Sequence, residues 1–310
     1  MTSNQFDILV AGEINPDLIL SGDVVPAFGQ VEKLVDSAAM TVGSSSAIFA
    51  CGAARLGLKV AFVGVCGADA FGRFMLDELS KRGVDISGVI LDPALQTGLT
   101  VILNHGTDRA ILTHLGAIDR LKAEQVTDSL LQQACHLHVA SYFLQTSLQP
   151  GLLDLFQRAR TLGLTTSLDT NWDPSGEWRG FDDLLSWVDV FLPNENEALA
   201  LTGKPAIEVA AQALGRKCGL VAVKLGARGA MACRGEDVAW AEALPIQVMD
   251  TVGAGDSFDA GFLSGWLNGW SLEKTLRLGA VCGSLSTRAA GGTSAQPTLE
   301  EAMKYVPPAG

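Results

Sequence analysis

The sequence predicts an α/β fold in which a doubly wound, mostly parallel sheet carries helices on both faces and a small β-strand lid. Three observations lead there. Compact apolar β-type runs alternate with helix-type segments at the strand, helix, strand spacing of a parallel sheet buried on both sides. At 310 residues the chain has room for one large core domain, 1–310, with a small excursion. Two stretches, about 14–40 and 97–114, break the rhythm and supply that excursion.

Taken in order, a strand is predicted at Ile8-Leu9-Val10-Ala11, a helix over 47–56, a strand at Val60-Ala61-Phe62-Val63 and a helix over 74–82. The alternation resumes with a strand over 136–140, a helix over 151–162, strands over 165–168 and 188–192, a helix over 206–218 and a strand over 221–223. In the second excursion Leu99, Val101 and Leu103 alternate with Thr100 and Ile102 before the polar turn Asn104-His105-Gly106-Thr107-Asp108. Both excursions therefore read as strands outside the main sheet that together form the lid. No internal repeat or low-complexity linker is visible, and Pro307-Pro308-Ala309-Gly310 reads as a frayed tail.

Charge and composition narrow the function. A net charge of −12 disfavours a nucleic-acid partner, so an anionic ligand has to be held by local donors. Cys51, Cys66, Cys135, Cys218, Cys233 and Cys282 sit singly in apolar stretches, without C-x-x-C pairs, and read as buried thiols of a reducing cytosol. No basic segment leading into an apolar core opens the chain, and no apolar run of about 18 residues occurs. A cytoplasmic protein without a membrane partner is expected.

The run Asp250-Thr251-Val252-Gly253-Ala254-Gly255-Asp256 carries the most information about function. Small residues at 253–255 let backbone N–H groups converge, and the helix-compatible stretch through Phe258, Ala260, Phe262, Leu263, Trp266 and Leu267 starts right behind them. A helix N-terminus behind bare amides is an anion site. Asp256, at its mouth, would repel a phosphate, so it faces whatever attacks that phosphate: the layout of a phosphotransferase. The plain alternative is a Gly-rich turn with an Asp N-cap. G-x-x-x-x-G-K-[ST] is absent, and the first strand runs into Gly12-Glu13-Ile14-Asn15 instead of G-x-G-x-x-G, which argues against a P-loop NTPase and a dinucleotide-binding dehydrogenase.

With this run, six elements follow one another along the chain. Gly12-Glu13-Ile14-Asn15-Pro16-Asp17 has the form G-x-x-N-x-D, and Gly43 with Ala53-Ala54-Arg55-Leu56-Gly57 leads into Val63-Gly64-Val65-Cys66-Gly67-Ala68-Asp69-Ala70-Phe71-Gly72. Asp169-Thr170-Asn171, Pro193-Asn194-Glu195-Asn196-Glu197, Val223-Lys224-Leu225-Gly226-Ala227-Arg228-Gly229-Ala230 and the 250–256 run come next. Nearly end to end, this order resembles the ribokinase-like, or PfkB, family of carbohydrate kinases, with 250–256 as its DTxGAGD signature.

The resemblance implies an ATP-dependent sugar kinase in which Asp256 takes the proton of the acceptor hydroxyl and the amides of Gly253, Ala254 and Gly255 form an anion hole. Because the proton passes late in a loose transition state, an ordinary Asp near pKa 3.9 is expected to suffice. ATP is expected along Asn194, Lys224 and the turn of Gly226 and Gly229, although a Lys224 that merely snorkels to solvent fits the sequence as well. Glu197 is expected to act on Mg2+ through water. Seen alone, Asn194 and Glu197 also make a helix cap. Asp250, with carbonyls of Ala289-Ala290-Gly291-Gly292-Thr293, resembles the family's monovalent-cation site, so potassium activation is a hypothesis.

For the acceptor, Asp17 resembles the residue that grips sugar hydroxyls, with a plain turn role as its alternative, and Gly43, Ser44 and Ser45 form the turn around the sugar. The departures are informative. The family's second glycine is Ser44, Ile48 stands near or at its substrate-binding Asn, Ser45 replaces the Lys common in phosphosugar kinases, and Asp173 replaces the Arg of D-x-N-x-R. The serines either supply hydroxyls to the sugar or cap the helix. A small neutral sugar such as ribose or fructose, phosphorylated on its exocyclic CH2OH, is expected. A nucleoside kinase, a sugar-acid (2-keto-3-deoxygluconate-type) kinase using Arg109 or Lys33, and a catalytically silent sugar- or nucleotide-binding regulator are the alternatives. His105, His114, His136 and His138 read as structural, Trp172 and Trp178 as pocket wall or core, and the apolar lid strands as a possible homodimer contact.

Overall fold

A computed structural model describes residues 4–105, 108–180 and 182–307; Gly106 and Thr107 of the expected turn and the tail residues 308–310 lie outside them. In chain order the strands are β1 (Phe6–Ala11), β2 (Pro16–Ser21), β3 (Ser37–Val42), β4 (Val60–Val63), β5 (Val65–Gly67), β6 (Ile90–Asp92), β7 (Leu99–His105), β8 (Asp108–His114), β9 (Ala134–Val139), β10 (Thr165–Leu168), β11 (Val190–Phe191), β12 (Leu220–Lys224), β13 (Ala230–Arg234) and β14 (Asp237–Ala241). The helices are α1 (Ser45–Arg55), α2 (Ala70–Lys81), α3 (Asp128–Leu131), α4 (Gln149–Thr161), α5 (Asp182–Leu185), α6 (Glu195–Thr202), α7 (Ile207–Gly215), α8 (Ala254–Leu267), α9 (Leu272–Ser286) and α10 (Leu299–Met303).

Among the described residues, eight strands form the main sheet in the order β14-β13-β12-β11-β10-β9-β1-β4. The strands from β4 through β12 run parallel, and β13 and β14 close the far edge antiparallel. The two-residue period of a strand explains why β1 is apolar throughout: Ile8 and Val10 enter a core under α1, α8 and α9, while Leu9 and Ala11 enter a second core under α4 and α7. Each fully buried Ile, Leu or Val contributes about 1.5–3 kcal/mol of transfer free energy, which commits the strand to two covered faces.

The two excursions pair as expected, in a sheet of order β3-β2-β7-β8 apart from the main one. Strand β8, its outer edge, is exposed along its whole length. The hairpin β13–β14, turning at Gly235 with φ 61°, and helix α9 were not predicted from the sequence. The strand expected over 188–192 is only Val190–Phe191, because Asp189 is spent on the amide of Thr166 and Pro193 has no N–H to continue pairing. Five of the cysteines are buried as expected, but Cys135 is exposed. Among the described residues no helix is long and apolar enough to cross a membrane.

Candidate active site

The parallel strands all end on one side, and there the chain places its polar residues. Glu13 and Asn15 follow β1, Asp169 and Asn171 follow β10, Asn194 follows β11 and Lys224 ends β12. With the starts of α1 and α8 and the inner face of the second sheet they enclose a cleft of about 540 Å³ that also holds Asp17, Ser44, Ser45, Arg109, Gly226, Gly253, Gly255 and Asp256. Folds of this type put their ligands at such strand ends.

Helix α8 starts as the motif requires. Its N-cap is Gly253 in the left-handed region, φ 70°, where a β-carbon would come within 2.6 Å of the Gly292 Cα. Only glycine fits there. Asp256 is thus not the N-cap of the plain reading; it lies in the first turn and lines the cleft. The Ala254 amide is turned back to the Thr251 carbonyl at 3.3 Å, so the expected trio of free amides is reduced. Among the described residues the amides of Gly253, Gly255 and Asp256 have no protein acceptor.

Beneath these amides sits a buried charge cluster. Lys224 Nζ lies 2.8 Å from Asp169 Oδ2 and 3.0 Å from Asp259 Oδ2. A solvent-seeking lysine is therefore overturned: the ammonium is the internal cation of this cluster, and it passes beside Gly255, 3.6 Å from where a β-carbon there would stand. Burial works against its charge, but Asp169, Asp259 and Glu197 more than offset that and raise its pKa. Burial also pushes the Asp169 carboxyl up, yet Lys224 and the Asn171 amide bring it below its ordinary value. Asp259, one helical turn after Asp256, is driven well up by burial and the neighbouring carboxylates.

Asp256 differs most from expectation. Burial, then Asp169, push its carboxyl up to about 8, with Lys224 and the Ser45 hydroxyl pulling the other way. The ordinary Asp of the sequence reading is a much stronger base, because residues distant in sequence desolvate it and surround it with negative charge. Asp169, Asp256 and Asp259 bring one oxygen each within 4.8 Å of one another, but two of them already share the Lys224 ammonium, so this trio does not suit a metal ion.

On the acceptor side Asp17 is a strand residue of β2, not a turn residue, paired with Thr41 and Thr100. It is 6 % exposed, and burial followed by Asp250 raises its carboxyl to about 7 against the pull of Arg109. Gly43 is dictated by it, since a β-carbon there would stand 2.1 Å from Asp17 Oδ1. Ser44 occupies the family's second glycine position at φ 69°, a conformation that costs an L-residue about 1–3 kcal/mol. Its hydroxyl is used internally, accepting from the Ala47 amide at 3.1 Å and donating to the Glu13 carbonyl at 2.6 Å. Ile48 packs against Gly253 and Gly292 as part of the wall.

A second cavity of about 450 Å³ opens on the other side of α8. Its walls are Leu244, Pro245, Ile246 and Val248 on one side and the small face of α9, Ala280, Gly283 and Thr287, on the other, with Gly226 and Gly229 at one end. It shares Lys224, Gly226, Thr251 and Gly255 with the first cavity, so the two meet over the free amides of α8. The sequence reading missed this slot; the spacing of Ala280, Gly283, Ser284 and Thr287, one small-residue stripe on a helix, was the available signal.

Asn194 and Glu197 form the full capping box: the Glu197 amide bonds Asn194 Oδ1 at 3.0 Å and the Asn194 amide bonds Glu197 Oε2 at 2.8 Å. Both still line the cleft. Burial, then Asp169, raise Glu197 to about 7. Asp250 lies beside the Gly-rich stretch as expected, but its oxygens accept amides, from Val252 at 3.0 Å and Gly291 at 2.9 Å, with Arg109 at 3.9 Å. His136 and His138 are buried, neutral and bridged by Ser167, in keeping with a structural role. Trp172 packs edge-on against Trp178 and is 58 % exposed, so it is not core.

A helix start with free amides, a buried carboxyl pushed up to about 8 and two cavities meeting between them have the layout of a phosphotransferase with a doubly wound α/β core. Residues 5–299 match the profile of the pfkB family of carbohydrate kinases, and the chain belongs to that family, whose members transfer a phosphoryl group to a sugar hydroxyl. It is 32 % identical over 272 residues to 2-dehydro-3-deoxygluconokinase of Bacillus subtilis, covering 83 % of this chain and 84 % of that one. It is 28 % identical to ribokinase of Haemophilus influenzae, covering 96 % and 98 %. The structure of Arabidopsis thaliana ribokinase complexed with ribose and ATP shares the fold at a TM-score of 0.83 and 24 % identity, covering 97 % and 98 % of the two chains.

Proposed function

We propose that this sugar kinase transfers the γ-phosphoryl group of ATP to the exocyclic CH2OH of a small neutral sugar such as ribose or fructose. The observation that carries the reading is the junction of the two cavities at Gly226, Thr251 and Gly255, with Asp256 on the acceptor side. An adenine fits the apolar slot, and its phosphates then reach the α8 amides. The acceptor's hydroxyls meet Asp17, Asn15 and Asn171. Arg109 faces Asp250 and Asp17, which favours a neutral acceptor over an anionic one.

Asp256 accepts the acceptor's proton as its oxygen attacks the γ-phosphorus and the bond to ADP breaks. The amides of Gly253 and Gly255 stabilise the charge that spreads over the transferred group. Lys224, locked by Asp169 and Asp259, adds a fixed positive charge beside Gly255 and reaches the phosphates from below. Asn194 and the Gly226–Gly229 turn position the nucleotide. Mg2+ bound with ATP would supply further charge neutralisation; Glu197 and Asn194 fit its hydration shell as acceptors facing the cleft. Asp250 would hold a monovalent cation with carbonyls of 289–293, and equal rates in potassium and a large organic cation would exclude that. The second sheet acts as the lid, closing over the acceptor and excluding water. Its exposed strands would pair two subunits, a point sedimentation would decide. The ATP supply and the free thiols suit a cytoplasmic location.

ADP production across pentoses, hexoses, sugar acids and nucleosides tests the reading: a neutral sugar should give the highest kcat/KM. Because Asp256 must be ionised to accept a proton, kcat/KM should rise with pH toward about 8. A second reading, a sugar-acid acceptor, is supported by the similarity to 2-dehydro-3-deoxygluconokinase, with Arg109 exchanging its carboxylate neighbours for the acceptor's carboxylate. It requires Arg109→Gln to cost far more with a sugar acid than with a neutral sugar. Ligand-induced thermal shifts without ADP production would leave only a regulator.

A further inference from the structure

The slot beside α8 has few polar side chains, and those along its length are already engaged. Among the described residues no carboxylate, carboxamide, imidazole or guanidinium lines it. Its polar side chains are Lys224, Thr251, Ser284 and Thr287, and the first two stand at the end shared with the acceptor cleft. Ser284 Oγ donates to the Ala280 carbonyl at 2.8 Å and accepts the Leu244 amide at 3.0 Å. Thr287 Oγ1 donates to the Ser284 carbonyl at 2.8 Å. A hydroxyl carries one hydrogen, so neither has one left to offer a ligand. The Thr287 carbonyl is taken as well, by the Met249 amide at 2.8 Å and the Asp250 amide at 3.2 Å.

Apolar and small residues make up the rest of the wall: Leu244, Ile246, Val248 and Phe258 with Ala280 and Gly283. Its rim is open to water, with Pro245 exposed and Val248 56 % exposed. Pro245 has no N–H, and the main chain over 246–248 carries donors and acceptors alike, which serve one base edge as readily as another. A pocket that offers shape separates close analogues by only about 10–200-fold, whereas a site that hydrogen-bonds the distinguishing group rejects the analogue by about 10⁴–10⁵-fold. This slot is of the first kind.

We propose that the slot reads the donor's base by shape, so that the kinase uses purine nucleoside triphosphates as a class, GTP and ITP as well as ATP, with CTP and UTP as weaker donors. This rests on the slot holding the donor's base and on the α8 amides holding its phosphates. The reaction is the same with each donor. The acceptor oxygen bonds to the γ-phosphorus, the bond to the nucleoside diphosphate breaks and the acceptor's proton goes to Asp256. The triphosphate meets the amides of Gly253 and Gly255 whatever base it carries, so a change of base acts on binding and leaves the chemical step alone. A pyrimidine, being smaller, leaves part of the slot unfilled and forfeits those contacts.

The test is the rate of sugar-phosphate formation by the full chain with ATP, GTP, ITP, CTP and UTP as magnesium salts, on the sugar that ATP phosphorylates fastest. The kcat/KM for GTP and ITP should lie within about a hundredfold of that for ATP, with the difference in KM and kcat nearly unchanged. Thr287→Val and Ser284→Ala, whatever they cost in rate, should leave the ratio of GTP to ATP where it was. A preference for ATP beyond that range overturns the proposal, and so does a ratio that either variant shifts by about tenfold or more. Ala280→Leu should raise the KM for every donor. If it left all of them unchanged, the base would lie elsewhere and the reading beneath the proposal would fall. Absence of sugar phosphate with every donor would instead remove the kinase reading itself.

Discussion

The two halves of the cleft are built on opposite principles. The half proposed for the nucleotide is walled by Leu244, Pro245, Ile246, Val248 and the small residues of α9, and it offers shape. The half proposed for the acceptor gathers Asp17, Asp169, Asp256 and Glu197 out of water, with Lys224 where it meets the slot, and offers charge. Shape binds ground state and transition state alike, so it sets affinity; charge placed where protons and phosphate charge move acts on the barrier. The cost falls on the same half. Buried carboxyls pushed up to about 7 or 8 oppose folding at neutral pH, which a protein tolerates where chemistry needs it.

The largest effect should come from the charged half. Asp256→Asn should lower kcat by about 10²–10⁴-fold while leaving ATP binding, read by calorimetry, nearly intact. A comparable loss of ATP affinity would erase the division between the halves. Lys224→Met leaves Asp169 and Asp259 without their cation and should cost about 3–5 kcal/mol in denaturant unfolding, along with activity. In the shape half, Ala280→Leu intrudes on the slot and should raise the KM for ATP roughly tenfold with kcat little changed.

The smallest effect is on stability against pH. The Asp256 carboxyl, raised from 3.8 to about 8, stays neutral in the folded chain while the unfolded chain ionises near 4. Its contribution to stability therefore falls as pH rises through that window and is lowest above the folded value. Asp256→Asn should melt higher than the parent chain at about pH 9, with the gap closing toward about pH 4. A gap that widens on acidification would mean that Asp256 is not desolvated.

Much of the fold was legible because local pattern and tertiary need coincide. The buried run Ile8-Leu9-Val10-Ala11 can only be a strand covered on both faces, and Gly253 can only be the left-handed start of α8. Asp17, Asn194, Glu197 and Gly226 do gather in one cleft, as their order in the chain suggested. Other features carried no local signal. Asp259 looks like one more polar residue of an amphipathic helix, and Asp173 looks like a lost arginine. In the fold its carboxylate instead binds the Ser175 and Trp178 amides, at 2.8 and 2.7 Å, to shape the loop beside the cleft.

The alternation of the central strands and helices, the glycine-led start of α8 and the resemblance to a kinase family were legible in the sequence alone, because each depends on neighbours a few residues apart; helix α9 and the β13–β14 hairpin were not. Tertiary structure decided how far burial raises the Asp256 carboxyl and where the Lys224 charge goes. Those depend on desolvation and on distances of a few ångströms between residues such as 13, 169, 224 and 259, which only the folded chain brings together.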